Sequence, residues 1–174
     1  MSSLVASVAL VLVAQTAGPE QMVGWSLGAG WERCGDLGHD FATVVGYHWP
    51  QWLVQVSYSD PEDSYHGNRL DSDVWAIHAF RLWRPDKAYR TRTWLIGLGV
   101  AFVDVGVDSS GPSGSLHDTT SDWGLAAAAG MSWPSGWFAI AEYTFGADAI
   151  VNMPDGRKAR FDLDGLRLVV GRRF

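Results

Sequence analysis

The chain has 174 residues, of which 47% are hydrophobic and only 18% are charged, and its net charge is −6. Nucleic-acid binding needs clustered lysine and arginine, so this acidic composition argues against nucleic acid as a partner. Lysine occurs only at Lys87 and Lys158, which leaves too little polar surface for an ordinary water-facing exterior. Cys34 is the single cysteine, which excludes an internal disulfide.

Residues 1–17 predict an export signal. An uncharged apolar run from Leu4 to Ala14 is followed by small and turn-forming residues through Pro19. The run is shorter than a membrane-spanning helix requires, so a signal peptide is the better interpretation. Cleavage after Ala14 and cleavage after Ala17 both fit the pattern. Export through the periplasm is therefore expected, and the mature domain covers residues 22–174.

After this signal, the chain divides into eight segments in which large apolar residues alternate with small or polar ones. The segments are 22–32, 40–49, 52–59, 72–83, 90–105, 122–133, 137–147 and 160–174. A period of two is typical of β-strands whose two faces meet different surroundings. All seven prolines fall outside these segments, as expected because proline cannot donate to a sheet ladder.

The connections between the segments alternate in length. Short ones lie at 49–52, 84–87 and 134–136, and longer polar ones lie at 33–39, 60–71, 106–121 and 148–159. An even number of strands with short turns on one side and long loops on the other is typical of outer-membrane barrels. The predicted fold is therefore all-β, an eight-stranded antiparallel up-and-down transmembrane β-barrel with both termini on the periplasmic side.

The tryptophans fall near the ends of the predicted strands, and they predict two girdles at the membrane–water interfaces. Those near the short turns are Trp25, Trp49, Trp52, Trp83, Trp94, Trp133 and Trp137, and those near the long loops are Trp31, Trp75 and Trp123. From Trp123 to Trp133 a strand rises roughly 33 Å, and a tilt of about 40° reduces this to about 25 Å of height. That height matches the apolar band of an outer-membrane barrel.

Polar side chains within the strands predict a plugged interior rather than a pore. The candidates are Glu32, Gln55, Arg81, Arg92, Asp104, Glu142 and Arg167. An eight-stranded barrel is just wide enough for side chains to fill it, and buried charges need partners. The facing of His78 stays open, because either its face or that of Trp75 and Ile77 could be the outer one. The histidines lack metal-ligand spacing, so neither a metal nor a cofactor is expected.

The last segment ends in Phe174, with Leu166, Leu168 and Val170 at alternate positions before it. This pattern resembles the terminal strand that the outer-membrane assembly machinery recognises. As a whole, residues 22–174 resemble the small eight-stranded outer-membrane barrels of the OmpA and OmpX type. The resemblance implies the assembly machinery, outer-membrane lipids and lipopolysaccharide as partners, and the bacterial outer membrane as the location.

A narrower resemblance is to the lipid A 3-O-deacylase family, in the stretches 74–85 and 97–102. That family places a catalytic histidine and serine two residues apart on a late strand, with an acidic residue further on. The corresponding residues here are Glu142 and Thr144, with Asp162 or Asp164 as the later acid. A solvated carboxylate is a poor base near neutral pH, so the loss of the histidine argues against hydrolysis.

Three functions follow from these patterns. The first is a non-enzymatic outer-membrane barrel with a plugged interior, which contributes to membrane structure or binds a surface partner. The second is a lipid A deacylase-like hydrolase, which requires Glu142 and Thr144 to face lipid within reach of a base. The third is a soluble lipocalin-like carrier, which requires large apolar side chains to point inward around a cavity.

Overall fold

The computed structural model describes residues 23–49, 51–65, 68–83 and 92–174. The predicted signal peptide and the predicted turn at 84–87 lie outside these residues. The strands are β1 (Gly24–Cys34), β2 (His39–His48), β3 (Trp52–Ser59), β4 (Glu62–Tyr65), β5 (Asn68–Trp83), β6 (Thr93–Gly111), β7 (Gly114–Ser132), β8 (Trp137–Phe145), β9 (Asp148–Asn152), β10 (Lys158–Asp162) and β11 (Gly165–Arg173). A 3-10 helix spans Gly35–Leu37. No helix in the described part of the chain is long and apolar enough to cross a membrane.

Eight of these strands close into an antiparallel barrel. Their order around the ring is β1, β2, β3, β5, β6, β7, β8 and β11, and β11 pairs again with β1. Closure matters because it removes the unpaired edges that an open sheet would expose. The predicted eight-stranded antiparallel barrel is confirmed.

The ring is closed by the two ends of the described chain. In the pairing of β1 with β11, Gly28 lies opposite Gly171. Phe174 continues this pairing beyond β11, because its backbone N–H donates to the carbonyl oxygen of Trp25 at 2.8 Å. Phe174 and Trp25 lie at the end of the barrel where the connections between strands are short, which we call the turn end. We call the opposite end the loop end.

The barrel wall rises further at the loop end than the sequence predicts. Residues 106–121 were expected to form a loop, but β6 and β7 continue as a paired hairpin up to Gly111 and Gly114. Val105 and Val107 are buried on the inner side of this extension, while Asp104 and Asp108 are exposed on the outer side. The polar outer positions give the segment a loop-like composition, although its alternation continues.

The segments 60–71 and 148–164 also differ from the prediction. β4 pairs with the first residues of β5, which extends the wall between 62 and 71. β9 and β10 form a separate two-stranded hairpin where a loop was expected. The predicted final strand 160–174 is therefore two strands, β10 and β11, interrupted at Leu163 and Asp164. The interruption lets β10 leave the wall while β11 closes it.

Large apolar side chains point outward from the wall, and small or polar ones point inward. Exposed outer residues include Trp25, Leu27, Val45, Val56, Ile77, Ile96, Leu98, Val100, Leu125, Leu166, Leu168 and Val170. Inward-facing buried residues include Ser26, Ala42, Ser57, Ala76, Ala101, Ala126, Ala128 and Val169. Small inner residues leave room for a few large ones, since a Cβ on Gly171 would lie only 2.4 Å from Cζ of Phe138.

The tryptophans of the predicted girdles mostly lie on the outer surface. Those exposed by 40–63% are Trp25, Trp49, Trp52, Trp75, Trp94, Trp123 and Trp137. Trp31 and Trp133 are half-buried, and the side chain of Trp83 lies outside the described part. At the turn end, the Trp25 and Tyr47 rings meet edge to face at 5.1 Å. The assignment of these rings to two membrane interfaces stays a prediction.

Candidate functional site

A buried polar network occupies the barrel interior, and the strand register creates it. Arg167 on β11 is the direct cross-strand partner of Glu32 on β1 and of Glu142 on β8. On the other side of the lumen, Gln55 on β3 and His78 on β5 are direct cross-strand partners of each other. All five side chains point inward and are buried. The structure thereby places His78 on the inner face, which the sequence left open.

The guanidinium of Arg167 connects opposite walls of the barrel. Its Nε and Nη2 donate to Oε2 of Glu142 at 2.9 and 2.6 Å, which makes a charge-assisted pair. The same group donates to Oγ of Ser57 on β3 and to Nδ1 of His78 at 2.7 Å. Glu32 lies 4.0 Å from Nη1 and adds a second negative charge. Arg167 therefore satisfies acceptors on three other strands as well as filling the lumen.

The contacts of His78 fix which of its nitrogens carries the proton. A guanidinium only donates, so Nδ1 of His78 accepts from Arg167 and the neutral ring carries its hydrogen on Nε2. Nε2 lies 2.9 Å from Oγ1 of Thr144, to which it donates. A general base would have to accept the hydroxyl proton instead. This orientation is the reverse of the one that would activate Thr144 as a nucleophile.

The space left beside the network is small. Its lining includes Glu32, Cys34, Val74, Ala76, His78, Val103, Glu142, Thr144, Leu163, Gly165 and Arg167, around a cavity of about 20 Å³. That volume suits about one water molecule, since a water needs roughly 10–15 Å³ of this kind of space. The cavity is therefore too small for an acyl chain or another organic ligand.

The hairpin of β9 and β10 caps the barrel at the loop end. Its buried face carries Ala149, Val151, Ala159 and Phe161, which belong to one apolar core with the interior residues of the wall. Leu163, just after β10, reaches the lining of the central cavity. The other face of the hairpin is solvated, and Ile150 there is 54% exposed.

Acidic side chains of the wall hold this cap by accepting backbone hydrogen bonds. Asp118 on β7 accepts from the backbone N–H and the side-chain amide of Asn152, both at 2.7 Å. Asp122, further along β7 towards the barrel, accepts from the N–H of Asp148 at 3.0 Å. These bonds satisfy part of the free edge of β9 and fix its position beside β7.

The tether at Asp118 predicts a measurable titration. The Asn152 backbone N–H, helped by its side-chain amide, holds the pKa of the Asp118 carboxyl below its usual range. The hydrogen bonds from Asn152 to the Asp118 carboxylate are therefore fully formed above the ordinary aspartate pKa of about 3.9. They are lost as the pH falls through the lowered pKa of Asp118. In an NMR titration of the folded protein, the Asn152 amide resonance should shift with a midpoint below about 3.9. Asp118→Ala should abolish this shift, and a midpoint at the ordinary value would contradict the tether.

The candidate hydrolase residues are not assembled into a lipid-facing site. Glu142 and Thr144 are both buried inside the barrel, where Glu142 pairs with Arg167. Asp162 is exposed on β10, and Asp164 accepts from the N–H of Gly146. The hydrolase hypothesis requires Glu142 and Thr144 to face lipid, and the geometry contradicts this requirement.

Three residues predicted for the interior network lie elsewhere. Arg81 shares the outer face of β5 with Ile77, and Asp104 is exposed on the outer face of β6. Arg92 precedes β6 and is also exposed, 5.9 Å from the ring of Trp94. The prediction was wrong because charged residues within a strand segment were assigned to the interior without regard to the alternation of inward and outward positions along the strand. Glu32, Gln55, Glu142 and Arg167 do point inward.

Sequence reasoning missed Ser57 and His78 as partners of Arg167, and Thr144 as the partner of His78. The alternation along β5 could have indicated the facing of His78, because His78 and Val74 are four residues apart on one strand. Both are buried on the inner face. Among the described residues, no group of three or more histidine, cysteine or acidic side chains could hold a metal ion.

Comparison with known proteins identifies the fold. No protein-family model matches the chain, and no curated protein matches it. The crystal structure of Neisserial surface protein A gives a TM-score of 0.57 at 15% identity, covering 87% of this chain and 97% of that chain. The N-terminal β-barrel domain of Pseudomonas aeruginosa OprF gives 0.48 at 13% identity, covering 87% and 97%. A major outer membrane protein from Thermus thermophilus gives 0.48 at 14% identity, covering 87% and 99%. The likeness to Neisserial surface protein A, together with the closed ring, shows the fold of the small eight-stranded outer-membrane β-barrels.

Proposed function

We propose that the protein is an integral barrel of the bacterial outer membrane, exported through the periplasm, with a sealed interior and no enzymatic activity. It contributes to membrane structure or binds partners at its surface. This proposal rests on the distribution of side chains between the outer face and the interior, which is the reverse of that in a water-soluble protein. Leu98, Leu125 and Val170 are exposed on the outside by 55–58%, while Arg167 and Glu142 are buried inside. An apolar exterior of this kind is stable in lipid rather than in water.

The same distribution argues against the two other functions. A soluble lipocalin-like carrier needs its large apolar side chains inward around a ligand cavity, but here they point outward and the central cavity holds about 20 Å³. A lipid A hydrolase needs a base that accepts the proton of its nucleophile, whereas His78 donates to Thr144.

Surface binding would take place at the loop end, where acidic side chains outnumber basic ones. The acidic residues there include Asp36, Asp60, Glu62, Asp63, Asp71, Asp73, Asp104, Asp108, Asp155 and Asp162, and the basic ones are Arg33, Arg69, Arg157, Lys158 and Arg160. Several of the basic side chains already have partners, since Arg69 pairs with Glu62 and Arg160 pairs with Asp148. The surplus negative charge favours cationic partners, including the divalent ions that accompany lipopolysaccharide.

The assembly machinery is the partner proposed for Phe174, which lies at the closing seam.

Three measurements test this function, two on the purified, folded protein and one on cells that express it. Incubation with lipid A, followed by mass spectrometry, should show no loss of acyl chains. Planar-bilayer recordings should lack large stable conductance steps, because Arg167 and its partners obstruct the lumen. In cell fractionation, the expressed protein should remain in the detergent-insoluble outer membrane.

An active lipid A deacylase and an open porin serve as positive controls for the first two measurements. Acyl loss caused by this protein would overturn the non-enzymatic assignment, and large stable channels would overturn the sealed interior. Recovery as a soluble periplasmic protein would overturn membrane insertion itself.

A further inference from the structure

Charge is distributed unequally between the two ends of the barrel. At the turn end the described residues include Arg81, Arg92, Arg172 and Arg173, but no aspartate or glutamate side chain. The turn end is therefore basic, whereas the loop end is acidic. This separation gives the turn end a preference for anionic surfaces.

Three of the four described arginines at the turn end, Arg81, Arg92 and Arg172, lie over aromatic rings. The Cζ atom of Arg81 lies 5.2 Å from the centroid of Trp52, and that of Arg172 lies 5.9 Å from the centroid of Phe174. A guanidinium over a ring gains cation–π stabilisation and keeps its N–H groups available at the edge. Within the described residues, no carboxylate pairs with Arg81.

One of these arginines lies beside an apolar groove. The turn between β2 and β3 forms an open groove of about 570 Å³, lined by Trp49, Gln51, Trp52 and Val54. The turn is fixed by two backbone bonds of 2.8 Å, from Trp49 N–H to Trp52 O and from Leu82 N–H to Gln51 O. Because Trp52 is the direct cross-strand partner of Arg81, the groove and the cation are neighbours.

We propose that this groove, together with Arg81, binds an anionic phospholipid of the inner leaflet of the outer membrane. The upper part of an acyl chain lies against Trp49, Trp52 and Val54, and the phosphate accepts hydrogen bonds from the guanidinium of Arg81. An apolar groove next to a cation matches the two parts of such a lipid. The absence of acidic side chains from the described rim disfavours a headgroup that also carries an ammonium. The inference rests on the proposed insertion in the membrane.

The test measures retention of phosphatidylglycerol and phosphatidylcholine by the folded protein in neutral detergent micelles, using native mass spectrometry. The wild-type protein should retain phosphatidylglycerol in preference to phosphatidylcholine. Arg81→Gln should reduce that retention about tenfold, because the charge-assisted bonds to the phosphate are lost. Trp52→Leu should also reduce it, because both the groove wall and the stacking surface of Arg81 change.

Arg92→Gln is the matched control, since Arg92 also lies over a tryptophan at this end of the barrel, but that ring, Trp94, does not line the groove, whereas Trp52 does. It should leave retention unchanged, and an equal loss would overturn the specific site. Equal retention of both lipids by the wild type would also overturn it. Displacement of phosphatidylglycerol by equimolar glycerol 3-phosphate would show a site for free phosphate instead of a lipid.

Heat-modifiable gel mobility shows whether each variant is folded, and lipid retention is compared only between folded proteins. The micelle experiment does not depend on where the protein resides in the cell. Failure to discriminate between the lipids by a protein that fractionates with the outer membrane therefore overturns this inference alone. Recovery as a soluble protein overturns the proposed function.

Discussion

Arg167→Met is expected to lower the free energy of unfolding by about 3–5 kcal/mol, because it leaves the buried carboxylate of Glu142 without its partner. Arg167 and Glu142 are each 2% exposed, so bulk water does not solvate the carboxylate that is left. The substitution also removes the hydrogen bonds to Ser57 and His78. Urea unfolding in detergent micelles or vesicles, followed by tryptophan fluorescence, measures the change.

A double-mutant cycle separates the ion pair from the loss of packing. Arg167→Met combined with Glu142→Leu should recover part of the stability, because no charge is then buried alone. Arg160→Met is the control, since Arg160 pairs with Asp148 at the solvated surface of the cap and should show no comparable loss. Strictly additive effects of the Arg167 and Glu142 substitutions would contradict the coupling of these two side chains.

Phe161→Ala is expected to release the cap while the barrel wall stays folded. Phe161 is 1% exposed and anchors the hairpin of β9 and β10 in the apolar core. Truncation of a buried phenylalanine costs about 3–5 kcal/mol, which corresponds to a loss of hydrogen-exchange protection of more than about a hundredfold. Amides of β9 and β10 should lose this protection, whereas those of β1 and β11 should keep theirs.

Ile150→Ala provides a control on the opposite face of the same hairpin. Ile150 is 54% exposed, so its truncation should leave exchange in β9 and β10 nearly unchanged. Equal loss of protection in both variants would contradict the anchoring role of Phe161. Simultaneous loss in β1 and β11 would show that cap and barrel unfold as one unit.

The number of wall strands and their outer faces were predictable from the sequence, because both depend on local alternation. Leu166, Leu168 and Val170 are exposed on the outer face of β11, as their spacing predicts. The extent of the wall was not predictable in the same way. Above Val105 the outer positions of β6 and β7 are polar, so the composition is that of a loop although the backbone pairing continues.

The interior network was only partly predictable, because its contacts cross the lumen. Pleat parity places Glu142 and Arg167 inward, and their register makes them neighbours. That Arg167 also reaches Ser57 and His78 depends on closure of the ring and on which strands then face each other. Local sequence patterns do not contain this information. The alternation of inward and outward positions would nevertheless have placed Arg81 and Asp104 on the outer face, and so excluded them from the interior network.

The seam between β1 and β11 has a consequence for the order of folding. These strands lie at opposite ends of the described chain, and the final pairing includes Phe174 with Trp25. Contacts between distant parts of a chain form slowly, because a large loop must close before they contribute stability. The ring therefore closes after its other hairpins have formed. Until that step, a nascent barrel has two open edges that can pair with another chain, and Arg167 has a neighbour on only one side.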